Sequence, residues 1–280
     1  NNHSSMNNHL GNGSLGSNGE AGVIAAVEDY YRRLETAVVQ GYQWHTLNSG
    51  ENWLTKGVRA EYSGNYVVER TAQELFGSMK MVAGSVFMVR ADILRAYKWP
   101  LSLTEDWALT LRLYLDGYKV VYSPLIYAPA ECPSTFRRLV RQRMRWAEGH
   151  TFNVKRYLWR VLRSARLSWR EKFEFASHYS LYYLQSLLFC VGSLFWFLSE
   201  LMHAYLPFWT VSFGWSLVLS NMISLPLMGL SGLFLEMSAK RDATGIFSVI
   251  VLSYVLAPFQ AYAALKGLLE GEEGTWFRTL

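Results

Sequence analysis

The sequence predicts an α/β sheet followed by membrane helices, and three observations carry that prediction. Strand-length apolar runs alternate with helical periodicity as far as Tyr122; residues 1 to 172 hold nearly all the charge; residues 173 to 270 are mostly Leu, Phe, Val, Ser, Tyr and Trp. With 280 residues, 51% hydrophobic and 18% charged, the chain has room for one globular unit plus a few membrane elements, and a purely soluble protein is disfavoured.

Residues 1 to 20 are Asn-, Ser- and Gly-rich and too poor in apolar groups to offset chain entropy, so they read as a disordered tail or a junction. They lack the basic start and apolar core of a secretory signal. From Gly22 to Arg33 the spacing of Val23, Ile24, Val27, Tyr30 and Tyr31 predicts an amphipathic helix, and Thr36 to Gly41 a short buried strand ended by the glycine. Residues 52 to 76 are expected to be mainly helical, Met81 to Arg90 a strand beginning near Gly84-Ser85, and Asp92 to Tyr97 a short helix. Thr104 is the expected N-cap of a helix with Glu105 and Asp106 in its first turn, running through Leu115 to a stop at Asp116-Gly117. Tyr118 to Tyr122 is a predicted strand closed by Pro124.

Ser134 to about Trp146 is a basic helix, and Tyr157 to Phe173 a second one whose Leu158, Val161, Leu162 and Leu167 lie among arginines, the pattern of a helix lying in a membrane interface. His178 to Leu201 is uncharged until Glu200 and long enough to span; Leu206 to Leu235 is a second uncharged stretch, interrupted by Pro226. Ile246 to Leu269 is either a third span or an interface helix bent at Pro258.

The formal charge of +5 comes largely from Arg137 to Lys172, a basic block that reads as cytoplasmic by the positive-inside rule and would attract anionic headgroups or a nucleotide diphosphate. No zinc finger or RNA-binding aromatic signature accompanies it, so nucleic acid is not an expected partner. Cys132 and Cys190 are the only cysteines and read as two unpaired thiols, not as a disulfide or a thiolate metal site.

Thr104-Glu105-Asp106, then Gln142-Arg143-Met144-Arg145-Trp146, then at once the apolar region, point to sugar transfer at a membrane surface. An acid at a helix start can take a proton from a sugar hydroxyl, while a Gln/Arg/Trp cluster can hold a diphosphate and stack on a sugar ring. Helical spacing puts Gln142 and Arg145 on one face, with Trp146 on nearly the same side. Taken singly, the first tripeptide also fits a plain helix cap, and the second a basic helix against headgroups with an interfacial Trp.

On these residues, roughly 22 to 280 resemble the C-terminal part of a processive, membrane-embedded family 2 glycosyltransferase, similar to cellulose, chitin and hyaluronan synthases. The tripeptide matches that family's TED motif and the pentapeptide its Q(Q/R)xRW motif, in order and at a typical separation. Ala83-Gly84-Ser85 sits where such enzymes have a Gly-rich segment near the acceptor, and Ala257-Pro258-Phe259 followed by Trp276 to Thr279 resembles an interface helix and the start of a gating loop. The resemblance implies a tail at 1–20, a partial GT-A-like domain at 21–156 and a membrane region at 157–280. That region would hold an interface helix at 157–173, spans at about 178–201 and 206–236, an interface helix at 246–269 and the gating-loop start at 275–280. A cytoplasmic Thr279 needs an even number of crossings after Trp146, which is why 246–269 is assigned to the interface.

By the same resemblance Asp106 is the general base and Glu105 supports it. Gln142, Arg143 and Arg145 contact the donor diphosphate, Trp146 floors the acceptor sugar beside Thr104, Gly84 and Ser85, and Trp276 and Thr279 cover the nucleotide. The implied partners are a nucleoside diphosphate sugar, specifically a UDP-sugar, a polysaccharide or lipid-linked acceptor, and the lipid bilayer of a plasma or inner membrane with the catalytic part cytoplasmic. Mg²⁺ or Mn²⁺ is expected for the intact enzyme, with its ligands outside this chain. No Asp precedes Asp29, the DxD motif would fall near Ser14 to Gly16, and the gating-loop lysine would follow Leu280. The expectation is therefore a piece cut at both ends and inactive alone. Two other readings stay open: a non-processive transferase acting on a lipid-linked acceptor, and a non-catalytic membrane-interaction subunit. The sugar and the linkage are not legible.

Overall fold

The computed structural model describes residues 35–203 and 208–274. The chain divides into two compact units, Asn1–Thr36 and Ala37–Leu280, and the second holds the described helices and, save Thr36, the sheet. The tail at 1–20, the helix at 22–33 and the gating-loop segment with Trp276 and Thr279 lie outside the described residues.

Strands β1 (Thr36–His45), β2 (Phe87–Val89) and β3 (Lys119–Ala130) form a sheet in the order β2-β1-β3. β1 and β2 are antiparallel, with Val38 opposite Val89 and Gln40 opposite Phe87. Two strands outrun their expected ends. Gly41 continues β1 because the Ile126 carbonyl oxygen occupies the place a Cβ would take, the close approach that only glycine permits in a strand. Pro124 does not close β3, since an edge strand tolerates the missing N–H. β2 is shorter than expected: Gly84 and Val86 adopt φ of 65° and 51°, which interrupts extended backbone just before it.

Helix α1 (Trp53–Ser63), a π-helical turn (Gly64–Glu69) and α2 (Arg70–Leu75) make the helical run expected there. It starts in a capping box, Asn52 accepting from the Leu54 and Thr55 N–H groups while Thr55 Oγ1 accepts from the Asn52 N–H at 3.0 Å. α3 (Ala91–Tyr97) and α4 (Glu105–Leu115) follow as expected. Thr104 holds the N-cap position of α4 but makes no side-chain cap, because its Oγ1 accepts from Asn153 Nδ2 at 3.2 Å.

α4 is the centre of the main core. Trp107, Leu109, Leu111, Leu113 and Tyr114 are fully buried, packed against Val38 and Val120 of the sheet on one side and Val154, Tyr157 and Val161 on the other. Burying each such side chain contributes about 1.5–3 kcal/mol, so α4 is fixed all round and its N-terminal acids are held in one place.

The two expected basic helices are one to begin with: α5 runs unbroken from Phe136 to Arg163. Gly149 does not interrupt it; its missing side chain lets α5 approach Leu103 and Thr104, which would stand 2.8 and 2.9 Å from a Cβ there. The helix placed at Tyr157 to Phe173 is therefore corrected. Its first half is the end of α5, and its second begins afresh at α6 (Trp169–Glu174) behind a Ser168–Glu171 capping box. A second π-helical turn (Phe175–Tyr179), α7 (Leu184–Leu201), α8 (Phe208–Leu235), α9 (Ala239–Asp242) and α10 (Gly245–Leu269) complete the described elements.

Among the described residues two helical stretches are long and apolar enough to cross a membrane, Trp169–Leu201 and Gly245–Leu269. α8 passes through Pro226 as one helix of 28 residues. α10 packs along α5, α1 and α7. Cys132 and Cys190 are both free thiols, as expected.

Candidate active site

A cavity of about 480 Å³ opens between the N-terminus of α4, the first π-helical turn, α5, the second π-helical turn, the start of α7 and the stretch of α8 around Pro226. Asp106, Thr104, Arg143 and Trp146 all line it. The sequence motifs, distant along the chain, thus meet at one wall.

Asp106 sits in the first turn of α4, where its Oδ1 accepts the Trp107 N–H at 2.8 Å. Burial pushes its carboxyl up to about 6, aided by Glu105 and opposed by the Trp107 hydrogen bond and the more distant Arg145 charge. No ion pair holds it among the described residues. Gly84 lies directly against this carboxylate: at φ 65° its Cα faces Asp106 Oδ2, which would be 2.8 Å from a Cβ. Ser85 turns the other way, donating to Gln43 Oε1 at 2.9 Å. Glu105 is half-buried beside Asp106 and does not line the cavity.

The face α5 turns to the cavity is Arg143, Trp146 and His150, three and four residues apart. Gln142 and Arg145, grouped with Trp146 by spacing alone, lie outside this wall. Arg145 donates to the Leu103 carbonyl at 3.2 Å, tying the two motifs together, and its Nε and the Gln142 Oε1 are buried without partners among the described residues. Arg143 reaches Glu61 Oε2 at 2.6 Å and its guanidinium lies 5.0 Å from the Trp146 ring centre. Its Nε is buried and unpartnered, as is Trp107 Nε1.

Sequence reasoning missed the rest of the wall. Glu61, Tyr62, Tyr66, Glu69 and Arg70 come from α1, α2 and the π-helical turn between them; His178, Tyr179, Tyr182 and Tyr183 come from the start of the apolar region. The tyrosine cluster ahead of an apolar run was a usable signal, since such rings mark places where one end is apolar and the other wet; nothing in the local sequence marked Glu61. His150 is not a competing base. It stacks flat on Trp107 at 5.0 Å, its Nε2 lies 2.8 Å from the Tyr179 carbonyl, and burial drives its pKa down to about 4.

Beyond α10, Glu273 accepts from the Leu103 N–H at 2.6 Å and the Ser102 hydroxyl at 2.8 Å, while Asn153 bridges Ser102 and Thr104. The loop that delivers Asp106 is thus pinned from two sides. Among the described residues no three His, Cys, Asp or Glu side chains converge as metal ligands.

Residues 24–262 match the family model described as glycosyl transferase family group 2. Over 137 residues the chain is 31% identical to an N-acetylglucosaminyltransferase of Rhizobium meliloti (strain 1021), covering 45% of this chain and 32% of that protein. It is 25% identical over 144 residues to a poly-beta-1,6-N-acetyl-D-glucosamine synthase of Staphylococcus epidermidis, covering 51% and 34%. With hyaluronan synthase 1 of Xenopus tropicalis it shares 28% over 114 residues, covering 37% and 19%. The chain matches at most about a third of the length of these relatives. It belongs to glycosyl transferase family group 2.

Proposed function

We propose that this family 2 chain carries the acceptor site and catalytic base of a processive membrane glycosyltransferase. Such an enzyme moves a sugar from a nucleoside diphosphate sugar to the growing end of a polysaccharide. The observation that supports the reading best is the Asp106 carboxyl, left without a cation and raised to about 6, at the end of an aromatic cavity that also holds Trp146.

In this reading Asp106 takes the proton of the acceptor hydroxyl as its oxygen attacks the anomeric carbon. The bond from that carbon to the diphosphate oxygen breaks, and the configuration inverts. A base titrating near neutrality is suited to the task, since it is ionised at working pH yet still basic enough to accept the proton. Trp146 and the neighbouring tyrosines offer ring faces to the acceptor sugars. Gly84 leaves room for a hydroxyl to reach Asp106 Oδ2. Gln142 and Arg145, with unpartnered buried atoms, are assigned to the donor diphosphate; Arg143, committed to Glu61, is assigned to the acceptor side.

The donor is assigned as a UDP-sugar, and because two relatives bear the name, UDP-N-acetylglucosamine is the first to try. Mg²⁺ or Mn²⁺ is assigned as the ion that would accompany the donor diphosphate. α7 and α8, which line one side of the cavity, are assigned to the bilayer, and α10, which packs along α5 and α1, to its cytoplasmic face.

The test is Asp106→Asn in the full-length protein, in membrane vesicles supplied with radiolabelled donor. General-base removal is expected to lower transfer about 10²- to 10⁴-fold with unchanged membrane insertion. Activity within threefold of the parent, or a defect confined to insertion, would overturn the assignment. Long products support polymerisation; a single added sugar on a lipid-extractable product would favour the lipid-linked acceptor instead.

A further inference from the structure

We infer that the acceptor cavity selects an uncharged polymer and excludes one bearing carboxylates, with Glu61 and Glu69 as the residues that set this selection. The inference rests on the reading of the cavity as the acceptor site and adds the chemical class of what it takes.

Four basic side chains line the cavity among the described residues, Arg70, Arg143, His178 and His150, the last kept neutral by burial, and three acids, Glu61, Glu69 and Asp106. Each basic group is already engaged by the protein. Arg143, 4% exposed, pairs with Glu61 at 2.6 Å. His178 Nε2 lies 3.0 Å from Glu69 Oε1. Arg70 donates to the Met81 carbonyl at 2.7 Å and the Asn65 side chain at 3.3 Å, and its guanidinium lies 4.6 Å from the Tyr66 ring centre. Among the described residues Asp106 is the acid, and Arg70 the base, left without a partner of opposite charge.

A carboxylate on an incoming chain could gain an ion pair only from Arg70, which is 6% exposed and turned to Met81, Asn65 and the Tyr66 ring, and it would meet the field of the reacting aspartate. Burying a charge on those terms is unfavourable. A hydroxyl or an amide faces no such penalty. The wall offers it neutral hydrogen-bonding partners in Gln43, Asn65 and Gln185. Removing the charge of Glu61 releases Arg143 and should reverse part of the selection.

The experiment uses the full-length protein and oligosaccharides released from its own product, etherified to carry either carboxymethyl or carbamoylmethyl groups, which differ in charge but hardly in bulk. Binding is read by tryptophan fluorescence and extension by donor incorporation. The carbamoylmethyl chains are expected to bind within threefold of the unmodified ones, and the carboxymethyl chains at least tenfold more weakly. Glu61→Gln should narrow that gap several-fold and make it salt-sensitive. Should that variant fail to fold, Glu69→Gln, which removes an acid acting on Arg70, gives the same reading. A native product that itself bears carboxylates, or carboxymethyl chains that bind the parent protein as tightly as carbamoylmethyl chains, would overturn the inference while leaving sugar transfer standing. If no donor supports any product and no oligosaccharide binds, the transferase reading fails and this inference falls with it.

Discussion

Two acids far apart in the described chain are enclosed in opposite ways. Glu236, just past α8, receives the Arg59 guanidinium, the Tyr42 hydroxyl, the Ser63 hydroxyl at 3.1 Å and the Trp44 indole N–H at 3.4 Å. Arg59 is fully buried, and Asp242 of α9 stands 3.5 Å from its Nε. Asp106 receives one backbone N–H and no cation. A buried carboxylate with its lone pairs filled ties β1 and α1 to the end of α8, whereas one left short of partners keeps its proton affinity and is available for chemistry. The difference separates a fastening from a reactive group by partners alone.

The sharpest way to break that contrast is to remove each acid and measure stability. Glu236→Ala strands a buried guanidinium and is expected to cost about 3 kcal/mol, the low end for breaking a buried pair, because Asp242 still faces Arg59. Thermal melting of the detergent-solubilised full-length protein reads it, and an unchanged melting temperature would mean the network is incidental.

Asp106→Asn should move the other way while transfer is lost. Folded Asp106 titrates near 6 against an ordinary 3.8. The folded state thus binds the extra proton between those values, stability falls as pH rises through that window, and it stays at its lower level above it. With partial exposure discounted, the amide is expected to stabilise the fold by about 1–2 kcal/mol at pH 7.5 and by little at pH 4. A destabilised variant at pH 7.5 would put Asp106 in the same class as Glu236.

The same titration predicts a pH profile. With a base that ionises near 6, transfer should rise about tenfold per pH unit below that value and level off above it. A flat profile from pH 5 to 8 would assign proton removal elsewhere. Smallest is Gly84→Ala, which forces a side chain into φ 65° and toward Asp106 Oδ2. About 1–2 kcal/mol of stability should be lost, with a fall in kcat larger than any rise in donor KM. An effect on KM alone would move Gly84 away from the reacting hydroxyl.

Much of this was legible in the chain itself. The extent of α4 followed from Thr104, two acids and a clean apolar period, and the helical run over 53–75 from its composition. Other boundaries were not. Gly41 and Pro124 look like terminators, and they terminate nothing, because one meets a neighbouring strand's carbonyl and the other stands at a sheet edge. The length of α5 was hidden for a similar reason: Gly149 reads as a weak point in a helix, and its use, as the contact with Leu103 and Thr104, depends on a loop far away in sequence.

The sequence by itself determined the family, the order of the two motifs, the acid at a helix start and the apolar helices, since each is read from residue types and their order along the chain. Only the tertiary structure decided which face of α5 looks into the cavity, that Arg143 would pair its charge with Glu61, and that Asp106 would be left without a cation. Helical periodicity is set by neighbours along the chain, but burial, ion pairing and hence proton affinity are set by whichever distant segments pack against a side chain. A spacing rule carries no information about those.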